Sequence, residues 1–249
     1  MRALNAGVAV VLMALGVAAS AADITVSAAA SLTNAFKEIG AAYEQQNAGD
    51  KVQFNFAASD PLVQQIAKGA PVDVFASADQ DAMDKADGLK LLAAGTRKNF
   101  ATNSLVLIVP VAGTHAIKGP ADLQQAAVTR VTTGNPASVP VGRYAKAALE
   151  QARLWSALEA KMIYGTSVRQ SLDYVSRGEV DAGFVYATDA ALIKDKVKVV
   201  ATVPTETPVS YPIAAIAAGP QAAAGRRFVD FVLAPAGQAI LARYGFGRP

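Results

Sequence analysis

The chain alternates short apolar runs with stretches whose apolar residues recur at helical spacing. Ile24 to Ala28 reads as a first strand. Leu32, Ala35, Phe36, Ile39 and Tyr43 then fall three and four positions apart, which places them on one helix face. Asn47 and Gly49 offer that helix a stop. Val52, Phe54 and Phe56 alternate with polar residues, as on a half-buried strand. Leu62, Val63, Ile66 and Ala67 line a second, short helix that Gly69 and Pro71 end. Val72 to Ala76 is a third strand, so the opening reads β-α-β-α-β.

Leu105 to Val109 is a buried strand by composition. A second series begins at Val128 to Thr132. It continues through helices at Gly142 to Gln151 and Val168 to Arg177, then strands at Ala182 to Tyr186, Val197 to Val203 and Pro212 to Ala217. Phe228 to Leu233 and Ala239 to Tyr244 read as closing helices. This order predicts an α/β fold with largely parallel sheets. The strands are too many for one doubly wound sheet of this length, so two lobes are expected. There is no internal repeat and no low-complexity linker.

Of 249 residues, 52% are hydrophobic and 17% charged, a globular composition. The formal net charge is +3, with no Lys/Arg block and no basic stripe interleaved with aromatics, so a nucleic-acid partner is not indicated. The absence of cysteine excludes disulfides, thiolate metal sites, a cysteine nucleophile and thiol lipidation. The single histidine, His115, lies in a Gly113-Thr114-His115 loop and reads as a surface residue. With no Gly-x-Ser-x-Gly elbow, a serine hydrolase is a remote alternative. Asp79, Asp81 and Asp84 lack the glycine and closing glutamate of a calcium loop and read as a solvated helix start. Met1 to Ala22 has Arg2, an apolar run from Ala6 to Ala19 and small residues at Ala19-Ser20-Ala21. That is the pattern of a secretory signal peptide, and it predicts a mature protein soluble outside the cytoplasm. No later segment is long and apolar enough to cross a bilayer.

Two serines stand at strand-to-helix junctions. Ser31 follows Ala28-Ala29-Ala30 and precedes Leu32; Ser59 follows Phe56-Ala57-Ala58 and precedes Asp60-Pro61. Each is an N-cap candidate. One such serine would read as a cap alone. Two, in consecutive β-α units, fall where open α/β sheets bind ligands, at the carboxyl ends of strands. Helix starts there offer free N–H groups and about half a positive charge, an anion site without a formal cation. Similar junctions recur at Val139-Pro140-Val141-Gly142-Arg143-Tyr144 and at Thr166-Ser167-Val168, and Tyr186 ends a strand with a phenol that can donate. Taken on the residues alone, Val168 and Tyr186 read as core packing. A ring of N–H and O–H donors suits a dianion, each charge-assisted bond being worth ~1.5–3 kcal/mol. Donors without acceptors also reject a ligand that still carries a proton. Asp60 beside such a ligand would be repulsive, so it is expected to face solvent at the first helical turn. Asp189 reads as a helix cap, and Arg143 and Arg169 as solvent-facing or structurally paired.

Several runs carry a resemblance. Ile24-Thr25-Val26-Ser27-Ala28-Ala29-Ala30-Ser31-Leu32-Thr33-Asn34-Ala35, Gly69-Ala70-Pro71-Val72-Asp73-Val74-Phe75-Ala76-Ser77-Ala78-Asp79 and Asn103-Ser104-Leu105-Val106-Leu107 resemble the periplasmic molybdate-binding proteins of ABC importers. So do Val139-Pro140-Val141-Gly142-Arg143-Tyr144-Ala145, Val185-Tyr186-Ala187-Thr188-Asp189-Ala190 and the ending with Ala236-Gly237-Gln238 and Tyr244-Gly245-Phe246. The resemblance covers essentially the whole chain beyond the signal peptide. It implies a two-lobed type II periplasmic-binding-protein fold, with the ligand in the inter-lobe cleft. It implies residues 1–22 as signal peptide, 23–110 plus 211–249 as lobe I and 111–210 as lobe II. The ligand would be molybdate or tungstate, held by the Ser31 and Ser59 hydroxyls, the Val141 and Val168 N–H groups and the Tyr186 hydroxyl. The resemblance further implies a monomer that is no enzyme, with no cofactor and no direct cation ligand. Its partner would be a membrane permease with its ATPase. Asp60-Pro61 after Ser59 departs from the family pattern. Sulfate, phosphate, chromate or a small organic acid remain alternative ligands; an organic acid would call for an arginine fork, from Arg143 or Arg169.

Overall fold

The computed structural model describes residues 22–249. The expected signal peptide, apart from Ala22, lies outside the described residues. Two five-stranded sheets make up the fold. The first contains β1 (Asp23–Ala29), β2 (Lys51–Ala57), β3 (Val74–Ala76), β4 (Lys98–Asn103) and β10 (Val209–Ala215), in the order β2-β1-β3-β10-β4. The second contains β5 (Leu105–Pro110), β6 (Val131–Gly134), β7 (Met162–Gly165), β8 (Ala182–Tyr186) and β9 (Val197–Val203), in the order β7-β6-β8-β5-β9.

The sheets are mixed, which corrects the expectation of largely parallel ones. β1 pairs parallel with β2 and β3, and β6 parallel with β7 and β8. β10 runs antiparallel to β3 and β4, and β5 antiparallel to β8 and β9. Parallel neighbours need a helical crossover. β5 and β10 have none, because each arrives straight from the other sheet. The chain passes from β4 to β5 through Ser104 alone, and from β9 to β10 through residues 204–208. Leu105–Pro110, expected in lobe I, therefore lies inside the second sheet, between β8 and β9.

Helices cover the first sheet on both faces. On one side α1 (Thr33–Gln46), α8 (Ala222–Leu233) and α9 (Pro235–Arg243) pack together. Phe36, Tyr43, Phe54 and Phe228 form an aromatic cluster there, with mostly edge-to-face rings 5.4–6.3 Å apart. On the other side Leu62, Val63 and Ile66 of α2 (Ser59–Ala67) meet Ala82, Met83 and Ala86 of α3 (Gln80–Gly88) over Phe75. α4 (Pro140–Gln151), α5 (Trp155–Leu158), α6 (Val168–Ser176) and α7 (Ala187–Ala190) belong with the second sheet. Among the described residues, no helix is long and apolar enough to cross a membrane.

Candidate ligand-binding site

The carboxyl ends of β1, β2, β6 and β8 face one another across the junction of the two sheets. Ser31 sits in a 3-10 turn, Ala30–Leu32, between β1 and α1. Ser59 is the first residue of α2. Neither caps a helix through its side chain, which corrects the sequence expectation; the cap positions are held by Ala29 and Ala58. Both hydroxyls are instead engaged by distant residues. Ser59 Oγ accepts the Ala78 N–H at 3.1 Å, and Ser31 Oγ lies 3.1 Å from the Tyr211 hydroxyl. With its oxygen occupied by the Ala78 N–H, the Ser59 proton is free to be donated elsewhere.

The second lobe adds two helix starts. Pro140 opens α4 after the extended residue Val139. Proline at this position costs nothing, since its missing N–H would have had no helical partner. Val141 follows, and the next residue, Gly142, packs directly on the end of β6: a Cβ there would stand 1.9 Å from the Gly134 carbonyl oxygen. α6 is capped by Ser167, whose hydroxyl accepts the Gln170 N–H at 3.2 Å, and Val168 is its first residue. Tyr186 ends β8, is 1% exposed, and has its hydroxyl 3.4 Å from the Ala78 carbonyl. Burial holds the Tyr186 pKa well above its ordinary value, so the phenol stays a donor.

Ser31, Ser59, Val141, Val168 and Tyr186 all line a single cavity, closed in by Ala29, Ala30, Ala58, Ala78, Val139 and Pro140. The room open to the centre of a water-sized sphere is about 10 Å³. The first turns of α2, α4 and α6 meet here, each with N–H groups that no helical carbonyl can reach. Their dipoles add partial positive charge at the same point. A wider groove of about 570 Å³ lies to one side, lined in part by Asp79, Asp81, Arg143, Tyr144 and Ser210. Its two carboxylates make it the poorer place for an anion.

Neither arginine lines the small cavity. Arg143 crosses from α4 to the first lobe, where Nη2 meets Asp60 Oδ2 at 2.7 Å and Nε meets Asp79 Oδ2 at 2.7 Å. Burial works to lower the Arg143 pKa, but Asp79 and Asp60 outweigh it and raise it. Asp60 is thus not directed to solvent as expected. It is 5% exposed and held between Arg143 and Lys85. Asp79 does start a helix, accepting the Ala82 N–H, but it is buried rather than solvated; Asp81 and Asp84 are exposed. Asp189, read as a cap, is instead fully buried within α7 and paired with Arg169. His115 lies in a loop with Nε2 3.5 Å from Asp181.

Two residues of the site's surround are not placed beside the site by the sequence reading. Tyr211 and Asn103 form a network behind Ser31: Asn103 Nδ2 donates to the Tyr211 hydroxyl at 3.2 Å and to Thr188 Oγ1 at 2.8 Å. The alternation Val209, Tyr211, Ile213 marks a strand that begins before Pro212, and would have brought Tyr211 inside.

Residues 24–247 match the family described as bacterial extracellular solute-binding protein. The chain is 36% identical over 234 residues to the molybdate-binding protein ModA of Haemophilus influenzae, covering 92% of this chain and 91% of that one. It is 38% identical to ModA of Escherichia coli over 234 residues, covering 90% and 88%. Its fold superposes on the periplasmic molybdate-binding protein of Azotobacter vinelandii with a TM-score of 0.79 at 22% identity, covering 91% and 99%. The two mixed sheets are therefore those of a type II periplasmic binding protein, and the family is one of solute binders rather than enzymes. On these grounds the chain belongs to the molybdate-binding protein family of bacterial extracellular solute-binding proteins.

Proposed function

We propose that this protein captures molybdate or tungstate outside the cytoplasm and delivers it, as a monomer with no resident cofactor, to a membrane permease driven by an ATPase. The observation that carries the reading is that five residues able to offer neutral donors line one small cavity, while each nearby arginine is paired with carboxylates. Three helix starts and three hydroxyls can surround a tetrahedral dianion, and a fixed donor spacing measures its oxygen-to-oxygen distance. The lobes, which we divide as 23–103 with 209–249 and 105–203, pivot on Ser104 and residues 204–208. Opening admits the anion; closing completes the donor shell and expels water. The signal-peptide pattern of residues 1–22 and the family's extracellular character support a periplasmic site of action.

Calorimetric titration of the chain from Asp23 onward tests this, with molybdate, tungstate, sulfate, phosphate and chromate in turn. One-to-one binding of molybdate and tungstate is expected, weakened roughly ten- to hundredfold by Ser59→Ala through loss of a charge-assisted hydrogen bond. Heat from sulfate or phosphate, with none from the two larger ions, would assign the cavity to a different anion.

A further inference from the structure

Arg169 follows Val168 in the first turn of α6, yet its guanidinium stays outside the cavity. Each of its nitrogens is engaged. Nε donates to Asp189 Oδ1 at 2.5 Å, Nη1 to Asn34 Oδ1 at 2.9 Å and Nη2 to the Ser31 carbonyl at 3.3 Å. Asp189 belongs to the second lobe, three residues beyond Tyr186. Asn34 and Ser31 belong to the first, at the start of α1 and in the turn before it. One planar group thus connects three of the five candidate donor residues: Val168 through the chain, Tyr186 through Asp189, and Ser31 through its own carbonyl.

We infer that Arg169 is a positioning residue that registers the Ser31 turn against Val168 and Tyr186 on closure, and so sets ligand affinity without touching the ligand. The inference rests on the oxyanion reading of the cavity. Asp189 makes the arrangement strict, because a carboxylate with no solvent contact must be paired, and Arg169 is the cation that pairs it. That bond lies within the second lobe, so it aims the fork before closure. The bonds to Asn34 and Ser31 cross the cleft and form only as it closes. A rigid fork can serve three acceptors in fixed directions; the single ammonium of lysine cannot.

The test is calorimetric titration with molybdate of the wild type, Ser59→Ala, Asn34→Ala, Arg169→Lys, and a variant combining Arg169→Met with Asp189→Asn. The paired change removes both charges together, so no buried ion is left unmatched. It is expected to weaken molybdate roughly ten- to hundredfold, mainly through faster dissociation. Asn34 is exposed, so Asn34→Ala leaves the ligand-free melting temperature unchanged. It should weaken binding about threefold in the wild type and have no effect in the paired background, since the two share one interaction. Arg169→Lys should not restore affinity. Wild-type affinity in the paired variant beside a weakened Ser59→Ala would overturn the positioning role and leave the site reading intact, as would an Asn34→Ala effect that simply adds. A wild type that gives no heat with molybdate would instead remove the site reading, and this inference with it.

Discussion

At the residue scale, burial decides the chemistry of Asp189 before its partner does. Removal from water raises its pKa to about 6, and Arg169 only partly offsets this. In the unfolded chain the group titrates at about 3.9. Between these values the folded protein binds a proton that the unfolded chain has released. The stability this residue contributes is therefore fully present below about pH 4 and is lost as the pH rises through about 6. Its full size is on the order of 3 kcal/mol, since each tenfold gain in proton affinity on folding is worth about 1.4 kcal/mol. Urea unfolding of the ligand-free wild type and Asp189→Asn at pH 4 and pH 6.5 should show it. The variant cannot ionise, so the wild type should lose on the order of 2 kcal/mol relative to it across that interval. Carboxylates with lowered pKa, such as Asp50 and Asp181, are common to both proteins and cancel in the difference. A difference that stays constant would mean that Asp189 remains ionised throughout. Nothing in its sequence neighbourhood signals this burial, because the cation that permits it is 20 residues away. The same holds for Asp60 and Asp79, whose shared partner Arg143 is 83 and 64 residues distant. Short-range pattern therefore reads all three as ordinary helix-start acids.

At the scale of elements, legibility followed the length and apolar content of a segment. β8 carries a continuous apolar run and β9 a longer one interrupted by Lys198 and Thr202, of which only Val197 and Val203 are buried; their observed limits, Ala182–Tyr186 and Val197–Val203, are those the sequence predicts. β4 and β7 carry no such run. Only Phe100 and Ala101 are buried in β4, while β7 is an edge strand that leaves Ile163 and Tyr164 exposed. Strand direction was unreadable for a different reason: it depends on which sheet the preceding segment came from. The helix starts were visible from Pro140 and Ser167, but the packing that aims α4 was not. Gly142 lets that helix approach β6 closely enough to present Val141 to the cavity. Gly142→Ala would push a methyl into the Gly134 carbonyl and towards the Pro136 nitrogen, 2.9 Å away, and neither is a side chain that can swing aside. A stability loss of about 1–3 kcal/mol is expected, with molybdate affinity falling as Val141 is displaced. Gly88→Ala, which meets nothing within 4 Å, is the matched control. Melting and titration should separate the two variants; equal behaviour would show that α4 can shift without consequence for the site.

For the whole molecule, the question is where the attraction for an anion originates. The formal net charge is only +3, one less without Arg2, and it is spread along the chain. Next to the cavity the charges balance in groups: Arg143 and Lys85 against Asp60 and Asp79, and Arg169 against Asp189. Beyond a Debye length of about 10 Å at 0.1 M salt, such groups present almost no field to an arriving ion. What remains is the partial charge of helix starts and the N–H and O–H groups, which act at contact and inside a small cavity lined by buried residues. Affinity should therefore depend weakly on ionic strength. Between roughly 20 and 500 mM potassium chloride, the molybdate dissociation constant is expected to change by less than about threefold, because neither steering nor a bare ion pair contributes to it. An arginine-forked site exposed to solvent would lose far more over the same range, since salt competes for the charge it uses. A steep salt dependence would accordingly mean that Arg143 or Arg169 leaves its carboxylates to meet the ligand, and that the paired arrangement belongs to a different stage of the opening and closing cycle.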